Sequence, residues 1–507
     1  MLVDRILLGA VLTLSMAAAA RGENWPQFRG PAENGIPSES RLPTAWGPDN
    51  HIAWSVEIPG KAWSQPVVWG DRIYVTTAIP QPPATPAAAP ATEPAAGAGG
   101  GQASGEGGGD DASATKPAEA AAPAAAPATE PAPSEAAPQD TPAEGDYPRR
   151  RGGGRGRGGF GFGGETPDQV YRWEVMCLDR ATGKPIWQQL AHEGKPTLPI
   201  HRTNTYASET PITDGERVYV YFGMIGLFCY DTNGQLLWKK DLGSFPMMLG
   251  WGTGSSPALD GDRLFIQCDN EKESFLAAFD KRTGDELWRA PRDEKSTWAT
   301  PYIWRNKVRT ELVAAGGRKM RAYDPATGEL LWESGNAKGR CSATPVGTDE
   351  LLYVGVGGGP GGLGPLVAIR AGAKGDITLP KDQKSSDAVA WLVERSGPSM
   401  SSPLVYQGCL YVLDQGGGIV GCYDAATGVQ HYRKRIDGAR GFTSSPWGYD
   451  GRVYCLDEDG QTFVLATGPE LKVLATNKLD DRFWSSVAVA GDHLLLRGVQ
   501  RLYCIAP

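Results

Sequence analysis

The side chains that most often do chemistry in proteins are sparse in this sequence or belong to turns. The chain of 507 residues has only five His, and His192 and His201 do not supply the three or four ligands that a zinc site needs. Many carboxylates lie in Asp-Gly turns such as Asp214–Glu216 and Asp260–Asp262, where turn geometry accounts for them. No Gly-x-Ser-x-Gly elbow or P-loop occurs. We therefore predict no catalytic residues and no metal site.

Two recurring phrases set the positions of the aromatic residues. The hairpin phrase reads RAYDPATGELLW at Arg321–Trp332, and its two apolar runs around a Gly-bearing turn predict a β-hairpin. Related copies lie at Cys177–Trp187, Cys229–Trp238, Ala278–Trp288 and Cys422–Tyr432, with a weaker copy at Phe463–Gly468. The opening phrase reads SSPALDGDRLFIQ at Ser255–Gln267 and predicts two further strands before each hairpin.

Eight opening phrases predict an all-β fold, an eight-bladed β-propeller of four-stranded antiparallel blades. The openings lie near Pro66, Pro211, Pro257, Pro301, Pro345, Pro403, Pro446 and Val487. The eighth repeat runs out at Cys504–Pro507, before its last strand, and Ile52–Pro59 resembles that missing strand. We predict that Ile52–Ile58 pairs with the strand around Arg501–Ile505, because closing the ring removes two exposed sheet edges.

The chain divides into four segments. Residues 1–22 predict a signal peptide, since Asp4 and Arg5 precede an apolar run that is too short for a comfortable membrane span. The first Cys is Cys177, so no lipid-anchoring Cys follows this run, and we expect an exported, periplasmic protein with no transmembrane span. Residues 23–51 form an N-terminal extension and residues 52–507 the propeller. Residues 80–169, rich in Pro, Ala, Gly and Arg, predict a disordered insertion within blade 1.

The overall charge argues against binding to nucleic acid. The formal net charge is −8, whereas nucleic-acid-binding domains usually carry a basic surface. The stretch Arg149–Gly164 resembles an RGG segment of RNA-binding proteins, but RNA is not expected outside the cytoplasm. An inert solvated linker is the favoured interpretation, and weak attraction to acidic polymers or lipid head groups is the alternative.

Equivalent repeat positions hold either Cys or Ala, which is typical of a small buried apolar site. The Cys positions are Cys177, Cys229, Cys422 and Cys504, and the Ala positions are Ala278, Ala322 and Ala368. We expect mostly free, structural thiols, although the sequence does not fix how the eight Cys pair.

The two phrases resemble the PQQ-like repeat, which builds the eight-bladed propellers of quinoprotein dehydrogenases and of BamB-type outer-membrane assembly scaffolds. Trp25–Pro31 (WPQFRGP) is similar to the opening of exported planctomycete-type members. In this family a terminal Trp docks neighbouring blades, and the resemblance implies this role for Trp54, Trp187, Trp238, Trp288, Trp332 and Trp391. Such a resemblance predicts the fold far better than the function.

The resemblance makes pyrroloquinoline quinone (PQQ) the cofactor to consider. Quinoprotein alcohol dehydrogenases typically carry two adjacent cysteines over the quinone, and this sequence has no Cys-Cys pair. It also lacks the Cys-x-x-Cys-His motif that attaches haem. We therefore expect no cofactor.

The residue before each opening phrase is predicted to lie at the mouth of the central channel. These residues are Trp63, Ser208, Gly254, Trp298, Ser342, Met400, Thr443 and Trp484. The three Trp and Met400 could stack a planar ligand or hold an apolar peptide, and Arg29, Arg202 and Arg340 could bind an anion beside them. The alternative is that these rings pack against neighbouring loops and the Trp25–Pro31 segment.

These features predict an exported, non-catalytic propeller that binds an envelope protein or peptide, resembling BamB-type assembly factors. One alternative is a PQQ-dependent quinoprotein dehydrogenase, and another is a module that binds polysaccharide or envelope components. The repeats do not set the oligomeric state, for which a monomer is the expectation.

Overall fold

The computed structural model describes residues 24–38, 40–82, 163–357 and 363–507. The predicted signal peptide and nearly all of the predicted insertion lie outside the described residues. Within the described ranges the chain forms eight antiparallel sheets joined into a ring, which confirms the predicted eight-bladed propeller. The described residues contain one short 3-10 turn, Met248–Gly250, and no helix long and apolar enough to cross a bilayer.

Each blade contains four strands in an up-and-down order, and the first strand lines the channel. Blade 1 consists of β2 (Val67–Trp69), β3 (Arg72–Pro80), β4 (Tyr171–Asp179) and β5 (Pro185–Gly194). Blade 2 consists of β6 (Ile212–Thr213), β7 (Arg217–Phe222), β8 (Gly226–Asp231) and β9 (Leu236–Lys240). Blade 3 consists of β10 (Ala258–Asp260), β11 (Arg263–Cys268), β12 (Ser274–Asp280) and β13 (Glu286–Arg292). Blade 4 consists of β14 (Tyr302–Arg305), β15 (Thr310–Ala315), β16 (Met320–Tyr323) and β17 (Leu330–Ser334).

The remaining blades repeat this order. Blade 5 consists of β18 (Val346–Gly347), β19 (Leu351–Gly357), β20 (Leu363–Arg370) and β22 (Val389–Val393), and its long loop also sends β21 (Gly375–Asp376) to pair in parallel with the outer strand of blade 4. Blade 6 consists of β23 (Leu404–Tyr406), β24 (Cys409–Asp414), β25 (Ile419–Asp424) and β26 (Gln430–Arg435). Blade 7 consists of β27 (Trp447–Tyr449), β28 (Arg452–Leu456), β29 (Gln461–Ala466) and β30 (Val473–Lys478). Blade 8 consists of β31 (Ala488–Ala490), β32 (His493–Arg497), β33 (Arg501–Ile505) and β1 (Ile52–Glu57).

The predicted closure of the ring is confirmed. Strand β1 pairs antiparallel with β33, with Trp54 opposite Cys504 and Glu57 opposite Arg501. The outermost strand of blade 8 is therefore supplied by a segment more than 400 residues away in sequence, as shown by the bond of Arg501 Nη2 to the carbonyl of Ser55 (sequence separation 446).

A ring of hydrogen bonds joins the blades around the channel. In seven of the eight blades the second residue of the opening phrase is Ser or Thr, and its hydroxyl accepts the main-chain N–H of the equivalent residue in the preceding blade, over 2.9–3.2 Å. The residues in order are Gln65, Thr210, Ser256, Thr300, Thr344, Ser402, Ser445 and Ser486. The exception is Gln65 of blade 1, which has no hydroxyl to accept the N–H of Ser486.

The N-terminal segment enters the channel at the end of β2 and crosses it. Trp25 bridges to Val68 of blade 1, and the N–H of Thr213 in blade 2 donates to the carbonyl of Pro26 (2.9 Å). Farther along, Ile303 of blade 4 donates its N–H to Glu33 Oε2 (3.3 Å). The N–H of Gly448 in blade 7 donates to the carbonyl of Gly35 (3.1 Å), so this segment contacts inner strands of blades 1, 2, 4 and 7.

Candidate functional site

The channel has two different ends. The side chain of Asn24 accepts the N–H of Gly70, which follows β2, so the N-terminal segment occupies that end. Trp63 lies at the other end of β2, where the connections between blades converge. This second end is the mouth predicted from the sequence.

Two tryptophans from blades 8 and 1 form a pair at the mouth. The rings of Trp63 and Trp484 have centroids 4.8 Å apart and planes tilted by 35°. The indole N–H of Trp63 donates to the carbonyl of Thr203 over 2.9 Å, and the guanidinium of Arg482 lies 5.5 Å from the centroid of Trp484. Both Trp residues are half-buried.

A second pair lies farther around the mouth. The ring centroids of Trp251 and Trp298 are 5.8 Å apart, and the guanidinium of Arg340 lies 4.9 Å from the centroid of Trp251. Trp298 donates its indole N–H to the carbonyl of Gly252 (2.7 Å) and its main-chain N–H to the carbonyl of Cys341 (2.8 Å). These bonds fix the plane of the Trp298 ring.

His201 connects the two pairs. Its Nδ1 lies 2.8 Å from the hydroxyl of Thr203, and its ring meets that of Trp251 edge to face at 5.8 Å. We call the five rings of Trp484, Trp63, His201, Trp251 and Trp298 the aromatic arc. The arc follows consecutive inter-blade connections from blade 8 to blade 4, and an Arg stacks on a Trp at or near each end.

A buried ion pair supports one end of the arc. Asp269 and Arg292 form a two-point pair, with Arg292 Nε 2.7 Å from Oδ1 and Nη2 3.1 Å from Oδ2, and neither side chain is exposed. Thr297 and Gln267 also donate to Asp269, each over 2.8 Å. Burial lowers the pKa of Arg292, but the attraction of Asp269 outweighs it and raises the pKa above its usual range. Since Thr297 precedes Trp298, this network anchors the backbone that carries the ring.

The polar members of the arc differ in charge. Burial, assisted by the nearby positive charge of Arg202, lowers the pKa of His201, which favours a neutral imidazole at pH 7. Burial also lowers the pKa of Arg340, but a guanidinium remains charged at neutral pH. The arc is therefore aromatic along its length and cationic where Arg340 and Arg482 stack.

The predicted mouth residues fall into two groups. Trp63, Trp298, Trp484 and Arg340 come together in or beside the arc. Met400 and Arg202 are exposed, and neither belongs to the ring contacts that define the arc.

Arg29 does not lie on the mouth surface as predicted. Its side chain is only 2 % exposed inside the channel, and its Nη2 donates to the carbonyl of Asn34 over 2.9 Å. Burial lowers the pKa of Arg29 to about 10. Its location follows from the N-terminal segment threading the channel, which the repeat pattern does not reveal.

Sequence reasoning missed Trp251 as a member of the mouth. In blade 3 the residue before the opening phrase is Gly254, and a Cβ added there would lie 3.4 Å from Cδ1 of Trp298. Trp251 comes three residues earlier, outside the repeat register, and its ring packs against that of Trp298. A Gly at an otherwise side-chain-bearing position, closely preceded by Trp, was the available signal.

The Trp residues predicted to dock blades share one contact pattern, apart from Trp332. The indole N–H donates to a backbone carbonyl of the next blade, pairing Trp54 with Arg180, Trp187 with Thr232, Trp238 with Lys281, Trp288 with Pro325 and Trp391 with Ala425 over 2.9–3.2 Å. Each of these rings also covers the turn Gly of that blade, namely Gly183, Gly234, Gly284, Gly328 or Gly428. Trp332 instead donates to Glu311 Oε2 of its own blade (2.6 Å) and is fully buried in the core shared by blades 4 and 5.

The residues present do not fit a PQQ and calcium site. No group of three or more His, Cys, Asp or Glu in the described parts of the chain is placed to hold a metal ion. All eight Cys are free, and none is adjacent in sequence to another. The channel centre, where a planar ring would need a slot, contains Arg29 and Glu33 of the N-terminal segment.

Two small cavities lie outside the aromatic arc. One lies against Gln27, Phe28 and Glu33, the other between blades 5 and 6, and each holds about 10 Å³, which is room for about one water molecule. No residue of the arc lines either cavity.

Comparison with known proteins agrees with the repeat pattern. Residues 171–372 match the family described as outer membrane protein assembly factor BamB. No curated protein sequence matches the chain significantly.

Three solved structures are similar to the chain at low sequence identity. BamB from Moraxella catarrhalis is 14 % identical, with 66 % of this chain and 88 % of that chain covered and a TM-score of 0.46. The computationally designed Ika8 protein is 10 % identical, with 67 % and 93 % covered and a TM-score of 0.47. A europium-containing methanol dehydrogenase is 12 % identical, with 95 % and 91 % covered and a TM-score of 0.51. Of these three, only the methanol dehydrogenase has a TM-score above 0.5, and at 12 % identity it supports the fold alone. The chain is an eight-bladed β-propeller, and its residues 171–372 match the family described as outer membrane protein assembly factor BamB.

Proposed function

We propose that this protein is an exported, non-catalytic scaffold that binds a protein or peptide partner at the aromatic arc. The observation that carries this proposal is the placement of five aromatic rings on consecutive inter-blade connections at one end of the channel. Half-buried Trp side chains offer large, rigid contact areas that lose little conformational entropy on binding. Residues of this type dominate the binding energy of many protein interfaces.

The surroundings of the arc favour recognition over catalysis. The rings are held by backbone hydrogen bonds from Trp63 and Trp298 and by the network of Asp269. A surface ordered before binding loses less entropy when a partner docks. The His, Cys, Asp and Glu side chains in the described parts of the chain do not form a group that could hold the metal of a quinone centre.

Two further observations support an envelope partner. The apolar run in residues 1–22 predicts export, and the matched family is described as an outer membrane assembly factor. An envelope protein or peptide is therefore the partner class to test first. Stacked Trp rings also bind sugars, so a polysaccharide is the alternative ligand that the same assay must include.

The test is capture of envelope components by the purified protein and its variants. We expect the double variant Trp63→Leu, Trp298→Leu to retain at most about a tenth of the captured partner, because losing two interface aromatics typically costs more than tenfold in affinity. Trp69→Leu is the matched control. Trp69 is also half-buried, but it lies at the opposite end of β2, against Gly215.

Thermal melting of all variants shows whether they are folded. Equal capture by the folded double variant and by the wild type would place the binding site elsewhere. Loss of capture in Trp69→Leu alone would move the site to the opposite face.

A further inference from the structure

Arg497 is a buried cation at the end of β32 in blade 8. It is only 4 % exposed, and it forms no ion pair with any residue that the structure describes. Within the described ranges its one side-chain hydrogen bond runs from Nη1 to Oγ of Ser64 in blade 1, over 2.9 Å. Burial lowers the pKa of Arg497 to about 9, so the guanidinium stays charged at pH 7. A buried charge without a counter-charge strongly destabilises a fold.

Arg292 shows how the same side chain is satisfied elsewhere in this protein. Its Nη1 donates to the hydroxyl of Tyr323 (3.0 Å), while Nε and Nη2 donate to the two carboxylate oxygens of Asp269 (2.7 and 3.1 Å). Arg497 also gives Nη1 to a hydroxyl, but its Nε and Nη2 donate to no residue in the described parts of the chain. These two nitrogens form an edge of the guanidinium that matches a carboxylate at two points.

The hydroxyl of Ser64 supplies a second donor beside Arg497. Ser64 is fully buried, and its Oγ accepts hydrogen bonds from Arg497 Nη1 and from Thr76 Oγ1 (2.8 Å). A hydroxyl that accepts twice still has its own proton to donate, and no residue that the structure describes accepts it from Ser64. The guanidinium and the hydroxyl therefore both favour an acceptor that the described chain does not provide.

The carboxylate that approaches this end of β32 is already engaged. Asp481 lies beside Gly498, because a Cβ added to Gly498 would be 2.1 Å from Asp481 Oδ2. The two oxygens of Asp481 accept the main-chain N–H groups of Arg482 and of residues 499–501, over 2.7–3.2 Å. Asp481 thus caps the turn after β32 and forms no ion pair with Arg497.

The packing of a blade does not require a cation at this position. Strand pairing aligns Arg497 with an uncharged residue in each of the other seven blades, for example Thr76, Gln267, Leu413 and Leu456. The two nitrogens of Arg497 are also less enclosed than those of Arg29, whose Nε and Nη1 are fully buried without a partner. Arg497 is therefore an exception to the repeat that needs a reason other than packing.

We propose that Arg497 and Ser64 bind a carboxylate at the junction of blades 8 and 1. Nε and Nη2 of Arg497 hold the two oxygens, and the hydroxyl of Ser64 donates to one of them. The site lies one residue inside the Trp63–Trp484 pair, since Ser64 follows Trp63, and Ser485, which follows Trp484, donates its hydroxyl to the carbonyl of Ser64 (3.1 Å). The carboxylate belongs to a small organic acid or to the C-terminus of a peptide. This site goes beyond the proposed function and does not depend on the envelope partner.

Thermal melting in sodium acetate and in sodium chloride at equal ionic strength tests the site. A ligand that binds only the folded state raises its stability. We expect the melting temperature of the wild type to be higher in acetate than in chloride, by about 2 °C more than the same difference in variants that lack Arg497. Comparing differences removes the general effect of each salt on stability.

Two substitutions of Arg497 are compared. Arg497→Gln keeps a donor for Ser64 and removes the charge. Arg497→Leu introduces the residue that blades 6 and 7 carry at this position (Leu413 and Leu456), so it suits the packing of the repeat. Arg395→Gln, which removes a charge from an exposed connection, is the control and should behave as the wild type. An equal acetate effect in the wild type and in either folded Arg497 variant would overturn the inference.

A labelled peptide with an apolar C-terminal residue distinguishes the two sources of the carboxylate. Its binding is measured by fluorescence anisotropy with a free and with an amidated C-terminus. At least about tenfold tighter binding of the free form, lost in Arg497→Gln, would support a peptide C-terminus as the ligand. Equal binding of both forms, together with the acetate effect, would support a small organic acid.

The outcomes separate this inference from the proposed function. If envelope capture depends on Trp63 and Trp298 but acetate has no specific effect, the scaffold stands and the carboxylate site is wrong. If acetate acts through Arg497 while capture is independent of the two Trp residues, the carboxylate site stands and the proposed binding surface is wrong.

Discussion

The main-chain N–H of Arg29 donates to Oε1 of Gln65 over 2.8 Å. Gln65 occupies the one position of the inter-blade ring that lacks a hydroxyl, and its Nε2 donates to the carbonyl of Val487 in blade 8. The same side chain thus replaces a ring bond between blades 8 and 1 and holds the N-terminal segment in the channel. Gln65 therefore connects the N-terminal segment in the channel to the contact between blades 8 and 1.

Replacing Gln65 with Ser tests this connection. Ser would supply the missing hydroxyl but would remove the acceptor for Arg29 and the donor for Val487. Burying such unpaired groups costs about 1–3 kcal/mol each, so we expect a lower free energy of unfolding and faster proteolysis within residues 24–50. Thr300→Ser is the control because it keeps the hydroxyl at another ring position. Wild-type protease resistance in Gln65→Ser would show that the segment is held by other contacts.

The packing of Trp on turn glycines predicts a difference between two glycines of blade 6. Gly428 and Gly408 have similar positive φ angles, 75° and 77°. An added Cβ at Gly428 would lie 2.6 Å from Cδ2 of Trp391, whereas one at Gly408 would meet nothing within 4 Å. We expect Gly408→Ala to cost about 1 kcal/mol of backbone strain and Gly428→Ala about 1–3 kcal/mol more from overpacking. Denaturant unfolding measures both, and equal losses would contradict docking by Trp391.

Glu33 predicts a stability that depends on pH. Burial raises the pKa of Glu33 to about 7 from 4.5, opposed by the N–H of Ile303 and the charges of Arg305 and Arg29, while Asp260 adds to it. The folded state therefore holds the proton more tightly than the unfolded state. The resulting stabilisation is complete below pH 4.5 and is lost as the pH rises to about 7, on the order of 3 kcal/mol in total.

Glu33→Gln keeps an acceptor for the N–H of Ile303 and removes the titrating proton. We expect the variant to lose less stability than the wild type between pH 4.5 and 7, measured by denaturant unfolding at several pH values. Glu209→Gln is an informative comparison, because burial also raises the pKa of Glu209 to about 7 and its removal should leave the contribution of Glu33 intact. Parallel pH profiles for the wild type and Glu33→Gln would show that Glu33 is not buried in a neutral form.

Reconstitution tests the prediction that the protein binds no quinone cofactor. The protein is mixed with PQQ and Ca²⁺, and the absorbance of bound quinone and the reduction of a dye are recorded. We expect no stoichiometric uptake and no dye reduction, because Arg29 and Glu33 occupy the channel and the described residues offer no metal-binding cluster. Stoichiometric uptake of the quinone together with dye reduction would contradict the proposal that the protein is a non-catalytic scaffold.

The sequence predicted the fold because each blade repeats a local pattern. Even the pairing of Ile52–Glu57 with Arg501–Ile505 was predictable, since the N-terminal strand resembles the strand missing from the last repeat. The path of the N-terminal segment was not. The bond from Ile303 to Glu33 joins residues separated by 270 positions, and nothing in the local pattern of either predicts their contact.

The candidate site was predictable only in part, for a similar reason. Trp63, Trp298 and Trp484 occupy the repeat position that converges at the mouth, so their approximate location followed from the fold. Trp251 lies outside that register, and its ring contacts with Trp298 and His201 place it at the mouth. Which rings touch depends on the lengths and paths of the inter-blade connections, and these vary from blade to blade.

The most direct test of the central claim is the amount of envelope partner captured by the wild type, by Trp63→Leu, Trp298→Leu and by Trp69→Leu at equal concentrations of folded protein. If the aromatic arc is the binding surface, the wild type and Trp69→Leu capture the same partner equally, and the double variant captures at most about a tenth as much. Equal capture by all three proteins would contradict binding at the arc.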